Sequence, residues 1–122
     1  MVKTKNQSVR TKRIYEDPKK SDGVRILVDR IWPRGIRKED AELDLWLKDL
    51  APTKELRQWF DHDPAKWPEF RKKYRSFLQA DKDAQVALEE IRKRLKTKRV
   101  TLLYAAKDEE HNNAVVLAEF LE

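Results

Sequence analysis

Apolar positions follow two periods along the chain. Between Val24 and Asp29 they are nearly continuous, with Val24, Ile26, Leu27 and Val28, and the β-branched content suits an interior strand. Val100 to Ala106 repeats the pattern, apolar throughout except Thr101. Arg10 to Glu16, carrying Ile14 and Tyr15, predicts a shorter strand, and the turn-rich stretch 17–23 after it predicts a hairpin with Val24–Asp29. Residues 41–51 fit both periods. Leu43, Leu45 and Leu47 alternate as in a strand, while Leu43, Trp46, Leu47 and Leu50 share one helical face; the strand reading is taken here.

Helical spacing dominates the middle of the chain. Thr53 is placed to cap a short helix from Lys54 to Phe60, with Glu55 in the first turn against the helix dipole. Asp63-Pro64 is a further start signal, although Pro68 moves the regular helix toward its own position. From there Trp67, Phe70, Tyr74, Phe77 and Leu78 line a core-facing side. Asp81 predicts the cap of a helix reaching about Thr97, with Ala84, Leu88, Ile91 and Leu95 inward. A last helix is expected over about Asn112 to Leu121. The sum is an α/β fold: a small mixed β-sheet of three to four strands covered by four to five helices, in a single domain over residues 10–122. Residues 1–9 are read as a flexible basic tail.

Composition excludes several chemistries. The 122 residues contain no Cys, which removes disulfides, thiolate nucleophiles and Cys-ligated metal centres. With Gly23 and Gly35 as the two glycines, neither the dinucleotide fingerprint nor the P-loop can be built. No apolar run approaches the ~20 residues of a membrane span, so a cytoplasmic protein without a membrane partner is expected. Charge is unevenly spread: the formal +6 sits largely in Met1 to Arg13, where Lys3, Lys5, Arg10, Lys12 and Arg13 meet no acid. The tail makes a non-catalytic nucleic-acid-binding or regulatory module the alternative function. The basic run Arg71-Lys72-Lys73-Tyr74-Arg75 reads as the solvated back of a helix, without a base-reading context.

The leading expectation comes from strand ends, because ligands in open α/β sheets gather beyond the carboxyl ends of parallel strands. Val24–Asp29 runs straight into Asp29-Arg30-Ile31-Trp32-Pro33-Arg34-Gly35, and Val100–Ala106 into Lys107-Asp108-Glu109-Glu110-His111-Asn112-Asn113. Side by side, these segments form one polar rim. Arg30 and Arg34 offer bidentate donors for phosphate or carboxylate, Lys107 adds a point charge, and the N–H groups near Asn112 and Asn113 open a helix. His62 and His111 are the groups that titrate near neutrality, with Asp29 or Asp63 to fix a tautomer. The expected ligand is a small phosphate-bearing anion. Any reaction would be hydrolysis or group transfer, with His62, His111 and Asp29 as catalytic residues and Arg30, Trp32, Arg34, Asp63, Lys107, Asn112 and Asn113 binding. Simpler readings stand beside these: Asp29-Arg30 as an ion pair, Asp63 as a cap, Trp32 as a core plug, Asn112 or Asn113 as the last helix's cap. A third reading puts a metal between His62, His111 and nearby acids. No cofactor or oligomeric state is specified.

The segments Val24 to Gly35, Leu45 to Pro52, Trp59 to Pro64, Phe70-Arg71 with Tyr74, Thr101 to Asp108 and His111 to Ala114 resemble the YeaO-like proteins, part of a large group known as a domain of unknown function. The resemblance spans about residues 10 to 121. It implies a small α/β domain whose signature polar residues fall on Asp29, Arg30, Trp32, Arg34, His62, Asp63, Lys107, His111, Asn112 and Asn113, and it brings no reaction with it. Asp61 stands where a small residue, often Gly, is usual in that family, and Pro68 where an acid is common.

Overall fold

A computed structural model describes residues 8–121. Four strands, β1 (Val9–Arg13), β2 (Val24–Leu27), β3 (Leu45–Trp46) and β4 (Val100–Tyr104), form one sheet in the order β1-β4-β2-β3. Five helices accompany it: α1 (Lys38–Ala41), α2 (Lys54–Phe60), α3 (Trp67–Ala80), α4 (Lys82–Leu95) and α5 (Asn113–Leu121). The α/β class and the strand and helix numbers are as expected. Every pairing is parallel, however, where strands of both directions were expected. The hairpin is not formed either, because β4 inserts between β1 and β2 and pairs with both, Val100 standing opposite Val9 and Val24.

The continuous apolar runs of β2 and β4 follow from burial on both faces. Val24, Ile26, Val100, Leu102 and Tyr104 meet the larger core built by α2 to α5. Leu27 and Leu103 point the other way, into a smaller cluster with Ile14, Ala41, Trp32 and Trp46. Residues 41–51 divide between the two periods: β3 has two residues and is followed by a 3₁₀ turn, Lys48–Leu50. Thr53 Oγ1 accepts from the Leu56 amide and Asp81 Oδ2 from the Ala84 amide, so α2 and α4 begin where their caps place them. The buried Tyr74 hydroxyl donates to the Leu50 carbonyl and ties α3 to the segment leading into α2.

One buried ionic cluster changes the reading of the basic N-terminal region. Asp22, 3% exposed, accepts from Lys12 Nζ (3.0 and 3.1 Å), from an Arg25 terminal nitrogen (2.6 Å) and from the Lys19 amide (3.0 Å). Arg25 also donates to the Ala41 and Glu42 carbonyls. Arg13 Nε donates to the Ala106 carbonyl (3.0 Å). Lys12 and Arg13 thus hold the fold rather than extend a free cationic arm. Of the expected tail, Val9 opens β1 and Ser8 is tied to β4 through its carbonyl, which accepts from the Val100 amide (3.1 Å); residues 1–7 lie outside the described residues. Among the described residues no helix is long and apolar enough to cross a membrane.

Candidate functional site

The chain leaves β2 toward β3 on one side and leaves β4 for α5, which packs against β1 and β4, on the other. This divergence opens a crevice beyond the carboxyl ends of β2 and β4. Asp29 stands at its head. One carboxylate oxygen accepts from the Ala105 amide (2.9 Å), just past β4, and the other from Asn113 Nδ2 (3.1 Å), at the start of α5. Asn113 Nδ2 also reaches the Val28 carbonyl, and Trp46 Nε1 donates to the Asp29 carbonyl (2.7 Å). Burial raises the Asp29 pKa, and the Ala105 amide, the Asn113 amide and the Arg57 charge offset this only in part.

The loop after Asp29 is shaped by its own residues. Trp32 Nε1 donates to the Ile36 carbonyl (2.6 Å), closing a turn that Gly35 completes at φ +81°, and the Trp32 ring meets Trp46 edge-on at 5.3 Å. Tyr15 Oη donates to the Arg34 carbonyl (2.8 Å). This leaves the Arg30 and Arg34 side chains exposed at the crevice.

Beyond β4, Asp108 organises the second segment. Its Oδ1 accepts from the Glu110 and His111 amides, and its Oδ2 lies 2.9 Å from His111 Nδ1. These bonds, the Glu110 amide foremost, hold the Asp108 pKa below the usual carboxylate value. An ionised Asp108 fixes the proton on Nδ1, and Nε2 is then the ring's accepting nitrogen. The ring packs edge-on against Trp67 at 5.2 Å. Asn112 is buried and committed to structure: Nδ2 donates to the Asp108 carbonyl and Oδ1 accepts from the Val115 amide, capping α5. The third wall comes from the end of α2. Asp61 and His62 both adopt left-handed conformations, φ +46° and +55°, which turn His62 toward the crevice. Asp61 therefore stands in the conformation that glycine enters without steric cost.

These walls enclose a cavity of about 930 Å³. Asp29, Arg30, Trp32, Arg34, His62, Lys107, His111, Asn112 and Asn113 line it, so nine of the ten residues selected from sequence share one space. Asp63 does not; its carboxylate accepts from the Ala65 amide (3.0 Å) at the 3₁₀ turn before α3, which fits the capping reading. The simpler reading of Asp29 and Arg30 as an ion pair is not realised among the described residues, where the Asp29 carboxylate is held by the Ala105 amide and Asn113 Nδ2. The metal reading finds no donor set, since no group of three or more His, Asp or Glu side chains among the described residues is arranged to hold an ion. Sequence reasoning missed Arg57, Gln58, Tyr15 and the orienting role of Asp108. Arg57 lies one turn before Phe60 on α2, and its Nε is buried without an acceptor among the described residues.

Residues 8–122 match the family DUF488-N3i, described as the inactive DUF488-N3 subclade. The chain belongs to this family. DUF488-N3i here extends over the whole sheet and all the walls of the cavity. The chain is 41% identical over 114 residues to the uncharacterised protein YeaO of Escherichia coli K12, covering 93% of this chain and 96% of that one. It is 44% identical over 113 residues to the uncharacterised protein Rv3073c of Mycobacterium tuberculosis H37Rv, covering 93% and 92%. The YeaO-like resemblance is thereby established. No solved structure matches the chain.

Proposed function

We propose that this DUF488-N3i protein is a cytoplasmic module that binds a small phosphate-bearing anion in the cavity beyond β2 and β4. The observation that carries the reading is the gathering of Arg30, Arg34, Arg57 and Lys107 around one space with His62 and His111, drawn from three separate stretches of chain. Two exposed guanidiniums on a loop pinned by Trp32 and Tyr15 are suited to bidentate contact with an oxyanion. The family's description as inactive favours retention of the ligand over turnover.

Thermal unfolding with and without phosphate esters tests this. At a hundredfold excess over Kd, binding adds about 2.7 kcal/mol. Arg30→Ala should abolish that protection while leaving the unliganded midpoint within about 2 °C, because Arg30 is exposed and makes no hydrogen bond among the described residues. Unchanged protection refutes the clamp.

The His111–Asp108 pair favours a second reading, in which the bound ester undergoes hydrolysis or group transfer and His111 Nε2 takes up the proton. Release of inorganic phosphate from a panel of esters, lost in His111→Gln, would select it. The nucleic-acid alternative is weakened by the structural employment of Lys12 and Arg13.

A further inference from the structure

The two ring nitrogens of His111 meet different surroundings. Nδ1 lies 2.9 Å from Asp108 Oδ2. Nε2 makes no hydrogen bond among the described residues and is not shut off from solvent, and the ring, with 29% of the side chain exposed, lines the crevice. Asp108 is fixed in its place, because its Oδ1 accepts from the Glu110 amide (2.9 Å) and the His111 amide (3.0 Å). With Nδ1–H donated to that carboxylate, a neutral His111 keeps a bare lone pair at Nε2. An oxyanion oxygen is an acceptor too. The two can bond only through a proton, and a ring with a carboxylate on one side and an anion on the other is stabilised in its charged form.

The groups around the ring narrow where that proton goes. From α3 it meets the edge of Trp67, which does not titrate. Lys107, Glu109 and Glu110 flank it on its own segment. Arg57, Asp61 and His62 share the crevice from α2 and its end, and Asp29, Arg30 and Arg34 share it from the loop after β2. The Asp29 carboxylate is already taken by the Ala105 amide and Asn113 Nδ2. Of these residue types histidine is the one that ordinarily changes charge near neutrality, so the rival to His111 is His62.

We infer that anion binding in this cavity is coupled to uptake of a proton from solvent at His111 Nε2, with Asp108 as the positioning residue that sets the coupling. This rests on the proposed anion site and specifies its regulation: affinity falls as pH rises, because protons become scarcer. Asp108→Asn should reverse the arrangement. The two backbone amides require an acceptor at the Oδ1 position, so the substituted side chain turns its NH₂ to Nδ1, which must accept. The neutral ring then carries its proton on Nε2 and donates to the anion without recruiting another.

Histidine nitrogen NMR of the full chain at pH 7.5, with and without saturating inorganic phosphate, tests this. Free His111 should be neutral with its proton on Nδ1, phosphate should protonate Nε2 as well, and free Asp108→Asn should carry the proton on Nε2. The ratio of wild-type to Asp108→Asn affinity for phosphate should fall about threefold or more from pH 7 to pH 8, which corresponds to about half a proton or more; phosphate's own ionisation cancels in that ratio. If phosphate binds while Nε2 stays unprotonated, if the free ring is already charged, or if His62 takes the proton instead, the inference falls and the anion site stands. If Asp108→Asn keeps wild-type circular dichroism and its proton on Nδ1, the role of Asp108 is overturned. Should that variant fail to fold, the wild-type spectra decide the coupling and His111→Gln supplies the affinity comparison. If phosphate does not bind, the anion site falls and the inference with it.

Discussion

Replacing Asp22 by Asn keeps the side chain's size and removes its charge, leaving the Lys12 ammonium and the Arg25 guanidinium facing each other in the interior. Both cations are nearly buried, with side chains 12% and 5% exposed. Breaking a buried ionic group by deleting one partner typically costs about 3–5 kcal/mol, against about 5–15 kcal/mol for the whole stability of a domain of this size. With a urea dependence of about 1–3 kcal/mol per molar, the unfolding midpoint of Asp22→Asn at pH 7 should drop by about 2 M. The pH dependence gives a second reading of the same bond. Burial raises the Asp22 pKa, but the Lys19 amide, Lys12 and Arg25 together outweigh it and hold the value below the ordinary one. In the folded state the carboxyl therefore keeps its charge to lower pH than in the unfolded chain. Its contribution is present above about pH 3.9 and is lost as the pH falls through the folded value. The gap between wild type and Asp22→Asn should narrow between pH 6 and pH 3. A midpoint shift under about 0.5 M, or a gap constant across that range, refutes the hub.

Asp61→Gly relieves a left-handed residue at the end of α2 and should raise stability by about 0.5–1 kcal/mol in urea unfolding, with no loss reported by either histidine's NMR signals. Tyr74→Phe strands the Leu50 carbonyl and should cost about 1–3 kcal/mol by the same assay. Carboxyl carbon NMR should place the Asp29 midpoint above about 3.9 and the Asp108 midpoint below it. Asp29 thus holds its proton to higher pH when folded, and the stability it contributes falls as pH rises from the unfolded toward the folded midpoint.

Much of this was legible because local signals agreed with the fold. Thr53 and Asp81 sit at real caps, and the unbroken apolarity of β2 and β4 reports two covered faces. Strand direction was not legible. The short stretch 17–23 argues locally for a hairpin, and the insertion of β4 between β1 and β2 depends on pairing Val100 with both Val9 and Val24, far away in sequence, which no local period encodes. Leu45–Trp46 was obscured because two residues of edge strand lie within a stretch that also satisfies helical spacing. The rim was found because strand ends carry ligands as a matter of topology. Arg57 escaped because it looks like any polar residue on a short helix; its signal was its place one turn before Phe60 and five residues before His62. The partner of Lys12 was not legible, because only the fold brings Asp22 beside it.

The central claim, an anion held between the ends of β2 and β4, is tested most directly by following backbone amides of the labelled full chain during titration with phosphate and a phosphate ester. Saturable shifts should concentrate in Asp29 to Gly35, around His62 and in Lys107 to Asn113, and should disappear in the double variant Arg30→Ala, Arg34→Ala. Shifts confined to the N-terminal residues or to the basic back of α3, or unaltered in the double variant, would contradict it.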